Sequence, residues 1–163
     1  MTYEQLQEKL GPLVAEEWHQ HARGGGWVKN SATVDDAVYV GEEAIVYDSA
    51  RVCGKAKVSG DAEISGKAEI SGKAKVSGMA QVSGMAKVSG MAIICGNAMV
   101  CGAGQVFGDA MVFGDAIICG DAKVSGDAEI SGKAQVSGMA KVSGKAIICG
   151  EAIISGDAAQ PKV

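Results

Sequence analysis

From Val28 to Ile154, every sixth residue of this chain is Val or Ile, without exception. From Ser49 onward the unit reads x-Ala-x-(Val/Ile)-(Ser/Cys/Phe)-Gly, as in Lys55-Ala56-Lys57-Val58-Ser59-Gly60. A period of six is too short for a helical repeat and too regular for an ordinary core. It predicts a chain that coils, each coil stacking on the one before. Within a repeat the Ala and the Val/Ile are two residues apart, so on a strand they share a face. They are expected inside, with the two x positions outside. Gly26, Val38 and Gly104 are the only inner positions where Ala is replaced. Gly closes every repeat from Gly54 to Gly156 and can turn the chain at positive φ without steric cost. Before it the corners hold Asn30, Asp36, Glu42 and Asp48. Asn and Asp tolerate the left-handed region; at Glu42, Gly41 is expected to take over the turn.

The number of sides follows from the outward residues. Sorted by threes, the second outward position forms three columns. One begins Trp27, Ile45, Glu63 and continues through Gln81, Met99, Ile117, Gln135 and Ile153. The next is Thr33, Arg51, Glu69, Lys87, Gln105, Lys123, Lys141, with no large apolar residue. The last is Tyr39, Lys57, Lys75, Ile93, Met111, Glu129, Ile147. Sorting by twos gives no such segregation. The coil is therefore a triangle with one polar side, just over seven coils and roughly 35 Å tall at ~4.8 Å per coil.

Composition fits a single domain built this way. Aromatics make up 4% of the 163 residues, too few for a core of large side chains. The net charge of −4 lacks the basic face that nucleic acid requires. No apolar run approaches the ~20 residues of a membrane helix, and Met1-Thr2-Tyr3-Glu4-Gln5 does not read as a secretory signal. A cytoplasmic location is expected. The five cysteines sit inside repeats, where Cys stands in for Ser, and read as reduced side chains rather than a disulfide framework. Cys101 and Cys119 stack at one corner at a spacing that would permit a bridge, but replacement of Ser is the simpler reading, as at Cys53, Cys95 and Cys149.

Residues 1–24 differ and are expected to form an N-terminal helical cap. Thr2 and Gln5 fit a capping box. Leu6, Leu10, Leu13 and Val14 fall on one helical stripe, Trp18 is placed on the apolar side, and Pro12 suits the start of a second short helix. Gly24-Gly25-Gly26 is expected to end it. Such a cap would cover the open strand edges and the apolar end of the stack. Residues 25–158 form the repeat region and 159–163 a tail. No helix is expected to cover the far end: either the short tail folds over it or another molecule does, and end-to-end stacking of copies is one expected mode of association.

The unit (Val/Ile)-x-Gly-x-Ala-x, repeated in threes over about residues 25–158, resembles the hexapeptide-repeat proteins. That resemblance implies an all-β fold, a three-sided left-handed parallel β-helix of about seven coils with a short N-terminal α-helical cap. The handedness comes from the resemblance alone. The family includes acyltransferases and γ-class carbonic anhydrases, usually trimers with sites between prisms. The lead-in His21-Ala22-Arg23-Gly24-Gly25-Gly26-Trp27-Val28 resembles uncharacterised phage and bacterial hexapeptide proteins that carry a transferase label, which would add a virion-associated location.

Enzymes of that family work through histidines on or beside the coils. Here the only two are His19 and His21, both before the first full repeat and expected to be exposed. No catalytic residue, cofactor site or metal site is therefore assigned. Lys55, Lys57, Lys73 and Lys75 stack on one side and form a possible patch for an anion or an acidic partner, with Asp61, Glu63 and Glu69 on neighbouring sides offering compensation. Ile93, Met99, Met111 and Ile117 form an apolar belt on the two sides that share an edge. Phe113 sits at that edge, with Met91 taken to be close by and Phe107 at another corner. The belt is expected to be an oligomer interface, in a homotrimer or another homo-oligomer. Three functions stay open: a non-enzymatic self-associating rod or binding surface, an acyltransferase-like enzyme with a site between protomers, and an inhibitor or adaptor of a host protein.

Overall fold

The computed structural model describes residues 1–156. The tail 159–163 and residues 157–158 lie outside the described residues, and with them the expectation about what covers the far end. Each repeat contributes one two-residue strand, from Thr33–Val34 to Ile153–Ile154, after a longer first strand at Trp27–Lys29. Successive strands go to different sheets, and every third strand pairs in parallel with its predecessor. The result is an all-β parallel solenoid of about seven turns with three sheets. The three sheets contain the three columns read from the sequence, here named by their first repeat strand. The Trp27 face has nine strands, the Thr33 face seven and the Tyr39 face seven. Register is fixed at 18 residues, as in Lys75 opposite Ile93 and Ile93 opposite Met111.

The axis of the prism is the core. Val and Ile from successive coils meet there with the small Ala side chains between them, and almost all are fully buried. Small and branched residues alternate because three strands must close around a narrow interior. Backbone hydrogen bonds join coil to coil throughout, for example Ile93 N–H to Ala110 O at 2.9 Å and Cys95 N–H to Val112 O at 2.9 Å. Where Gly is missing from early corners, carboxylates reach the next coil. Asp48 accepts from the Gly66 N–H at 3.0 Å and Asp35 from the Gly54 N–H at 3.1 Å.

The N-terminal segment differs from expectation in instructive ways. Helix α1 spans Tyr3–Leu10, and the Thr2/Gln5 capping box is present. Pro12 does not open a second α-helix; a short 3-10 turn forms at Ala15–Glu17, followed by strand β1 at Trp18–Gln20. Strand β1 pairs antiparallel with β2, Trp27–Lys29. Val14 is exposed rather than on the apolar stripe, whereas Trp18 is buried as expected. The three glycines are not a helix stop but part of the link between these two strands. That link runs along the open edge of the Tyr39 face. Val40 N–H donates to Arg23 O at 2.9 Å, and Gly26 N–H donates to Val40 O at 3.0 Å. A Cβ at Gly24 would run into the Val40 carbonyl, and one at Gly26 into that of Gly41, so only glycine permits the approach.

The two tasks assigned to the cap are thus divided. Strand β1 and the glycine link cover strand edges, removing templates for further pairing. Helix α1 lies against the flank of the Trp27 face, not across the end. Leu6 is fully buried against Trp18 and Ile45, with Trp27 and Tyr47 around them. Lys9 reaches Glu63 at 3.1 Å, and the Trp27 indole N–H donates to Met1 O at 3.0 Å.

Candidate interaction surface

The exposed side chains of a solenoid form ladders because the register repeats them every coil. Each candidate residue can therefore be located by column and height. Ile93 and Met111 are direct neighbours on the Tyr39 face, and Met99 and Ile117 on the Trp27 face. All four are half-buried by adjacent ladder residues. Phe113 follows Met111-Val112 and stands at the corner between these two faces, as expected. On the far side of that corner Asn97 donates to Asp115 at 2.8 Å.

Met91 is elsewhere. It precedes Ile93 at the corner leading from the Thr33 face into the Tyr39 face, the corner that also holds Phe107. The earlier placement beside Phe113 is corrected by the direction of the chain: Met91 enters the side that Phe113 leaves. It is 53% exposed and lines an open groove of about 370 Å³ with Lys73, Lys75, Ile93, Asp109 and Met111. Trp27 and Ile45, outward by register, are covered by α1, so the lower Trp27 face is not a free apolar surface. The Thr33 face is polar in its central column, but Met85 and Met139, both 59% exposed, stand at the corner leading into it.

The lysines fall as a block on the Tyr39 face. Lys57 and Lys75 are register neighbours, with Lys55 and Lys73 two residues before them. Lys55 and Lys57 line a second groove with Arg23 and Tyr39. Two of the three acids expected to compensate them are used by other lysines: Glu63 holds Lys9 at 3.1 Å and Glu69 holds Lys87 at 3.2 Å, while Asp61 forms no ion pair among the described residues. Among the described residues, none of the four lysines forms an ion pair. Higher on the same face stand Asp109, Asp127 and Glu129, also without an ion pair among the described residues. Glu129 belongs to the second outward column, but Asp109 and Asp127 belong to the first, so the acidic block shows only when the two columns are followed together. Sorting the first outward position by threes yields Ala37, Lys55, Lys73, Met91, Asp109, Asp127 and Lys145 in one column.

The histidines differ from each other. His19 is exposed, with Nδ1 2.8 Å from Asn30 Oδ1. His21 is buried, not exposed, and its Nδ1 accepts from the Arg23 backbone N–H at 3.2 Å. It holds the link that covers the Tyr39 edge. Among the described residues, no three His, Cys, Asp or Glu side chains are grouped to hold a metal ion. No described helix is long and apolar enough to cross a membrane. The cysteines are free thiols. Burial, and then the neighbouring Cys119, push the Cys101 thiol above its ordinary pKa.

A family model described as the YdcK beta solenoid repeat matches residues 104–120. The matched span is about one coil and includes Met111, Phe113 and Ile117. Neither the curated proteins nor the solved structures gave a match.

Proposed function

We propose that this chain is a non-enzymatic β-solenoid that associates with copies of itself and serves as a rigid rod, spacer or binding platform. The observation that carries the reading is the apolar belt. Ile93 and Met111 on one face, and Met99 and Ile117 on the next, stack in register at mid-height on a stiff prism. Contiguous apolar surface of that kind marks an interaction site, and closed homo-oligomers are the usual outcome for a self-complementary patch. The stacked coils supply the rigidity: every strand is hydrogen-bonded to its neighbours and the core has no mobile long side chains. The absence of histidine from the coils favours a structural role over the acyltransferase-like alternative. A hexapeptide-repeat ancestry, as the sequence resemblance implies, accords with this architecture.

Sedimentation velocity over a concentration series tests the reading. The wild-type chain is expected to sediment as an oligomer. Introducing Asp for Ile93 and Ile117 together, both outward-facing, should shift it to monomer while circular dichroism stays unchanged. A wild-type chain that remains monomeric at every concentration would overturn self-association.

A further inference from the structure

We propose that the Tyr39 face is a two-fold dimer interface, in which a second copy of this chain packs antiparallel and centred on Ile93. The inference rests on the self-association reading and specifies its face, direction and register. From one end of this face to the other the charge changes sign. Arg23, Lys55, Lys57, Lys73 and Lys75 occupy the lower part, Met91, Ile93 and Met111 the middle, and Asp109, Asp127 and Glu129 the upper part. The ladder places Lys57 two coils below Ile93 and Glu129 two coils above it. In the corner column, Lys73 and Asp109 flank Met91 one coil away on either side, and Lys55 and Asp127 two coils away.

Two identical faces can meet about a two-fold axis in only two simple ways. With the solenoid axes parallel, each coil meets itself. The four lysines would then face their own copies, and the acids theirs, which is repulsive on both counts. With the axes antiparallel, the two-fold runs along the strand direction and each column is read in reverse. Centred on Ile93, this sets Lys57 against Glu129, Lys55 against Asp127 and Lys73 against Asp109, each twice. Ile93 meets Ile93, Met91 meets Met91, and the stem of Lys75 covers Met111. At the rims Tyr39 meets Ile147, two exposed large side chains one coil outside the charged blocks. Lys75, opposite Met111, and Lys145, opposite Ala37, find no acid in their own columns. One groove already brings the three classes together, with Lys73 and Lys75, Met91 and Ile93, and Asp109 along its walls. A face roughly 30 Å tall and one coil side wide lies at the small end of specific interfaces. The dimer is therefore expected to dissociate on dilution and on adding salt, which screens its outer pairs.

The test is a charge exchange on the full chain, followed by sedimentation at low salt. Lys57→Glu alone and Glu129→Lys alone each set two like-charge contacts into the dimer and should weaken it at least about tenfold. Mixing the two variants should restore association as a heterodimer, because each reversed charge then meets its opposite. Circular dichroism melts confirm that both variants fold. If the mixture behaves as the sum of its parts, the antiparallel register is wrong. If wild type associates, Lys57→Glu is neutral and Ile117→Asp disperses it, self-association survives and the Tyr39 face is wrong. A wild-type chain monomeric under all conditions removes both.

Discussion

Gly90 has φ of 73°, and a Cβ there would lie 2.8 Å from the carbonyl oxygen of Gly108 in the next coil. Two costs therefore fall on one methyl group. Left-handed backbone alone costs an L-residue about 1–2 kcal/mol, and the clash meets backbone, which cannot rotate away. Gly90→Ala is expected to lower the melting temperature measurably in a thermal scan; an unchanged melt would contradict the corner geometry. The corner glycines were legible because the repeat names them. The earlier corners were only partly so. Among the residues placed there, Asp48 takes a positive φ of 58°, but Asn30, Asp36 and Glu42 do not, and Gly41 does not take over in that way. Asn30 is instead held by the lead-in, donating its side-chain amide to Glu16 O at 2.7 Å, a partner no repeat pattern encodes. Cysteine chemistry also belongs at this scale. With the Cys101 thiol pushed up by burial and by Cys119, less thiolate is present at neutral pH, whereas Cys149 is exposed. Alkylation followed by mass spectrometry should label Cys149 before Cys101; the reverse order would contradict the burial of that corner.

Helix α1 is held by its apolar side, with the Lys9–Glu63 ion pair and the Trp27 hydrogen bond to Met1 O at the rim of that contact. Leu6 is buried against Trp18 and Ile45, so Leu6→Ala should remove about 2–5 kcal/mol of packing from this contact. The coils behind it have their own core, because the axial Val and Ile column is a separate cluster. The expected result is a tryptophan fluorescence transition at lower temperature than the loss of β-sheet circular dichroism. Coincident transitions would mean that helix and coils unfold as one unit. Tyr47, beside the same contact, adds a pH dependence. Burial is the main cause that raises its pKa above 10.0, opposed by a hydrogen bond to Ser65 and helped by Glu63 and Asp48. The neutral phenol is thus favoured in the folded state. The stabilisation it gives is full below pH 10.0, the unfolded value, and is lost as pH rises through the higher folded value. Tyr47→Phe should reduce the drop in melting temperature between pH 9 and pH 11 in otherwise identical scans, and an undiminished drop would assign it to other groups. Strand β1 was the element least legible in the sequence. Trp18-His19-Gln20 has no alternation of its own, and it is a strand only because β2 offers it an edge. Triple glycine reads locally as a stop, but its reason is the close approach to Val40 and Gly41, which a local reading does not contain.

At the scale of the molecule the period determined almost everything about sheet membership. Sorting outward residues by 18 places each in the sheet where the structure has it, since a regular coil turns sequence distance directly into height. Handedness is different. Strand order and register are the same for a coil and its mirror-wound counterpart, so no spacing in the chain reports it. The proposed dimer face was half legible for a related reason: the charge reversal along the Tyr39 face becomes visible only when both outward columns are followed through several coils. The same linear order governs stability. Each coil contacts its neighbours alone, so the stack behaves as a nearest-neighbour array. Val106 is fully buried in the middle of it. Val106→Asp would place an unpaired carboxyl on the axis, among the changes that cost more than about 4 kcal/mol. Below the break remain coils buttressed by α1, β1 and the glycine link. Above it, the column runs to the last described coil, where Ala146, Ala152 and Ile154 are only partly buried. The two parts should therefore separate in hydrogen exchange. Amides after Val106 are expected to lose protection while those of Trp27 through Val88 keep most of theirs. Equal loss on both sides would show that the coils unfold together and that the linear description of this prism is wrong.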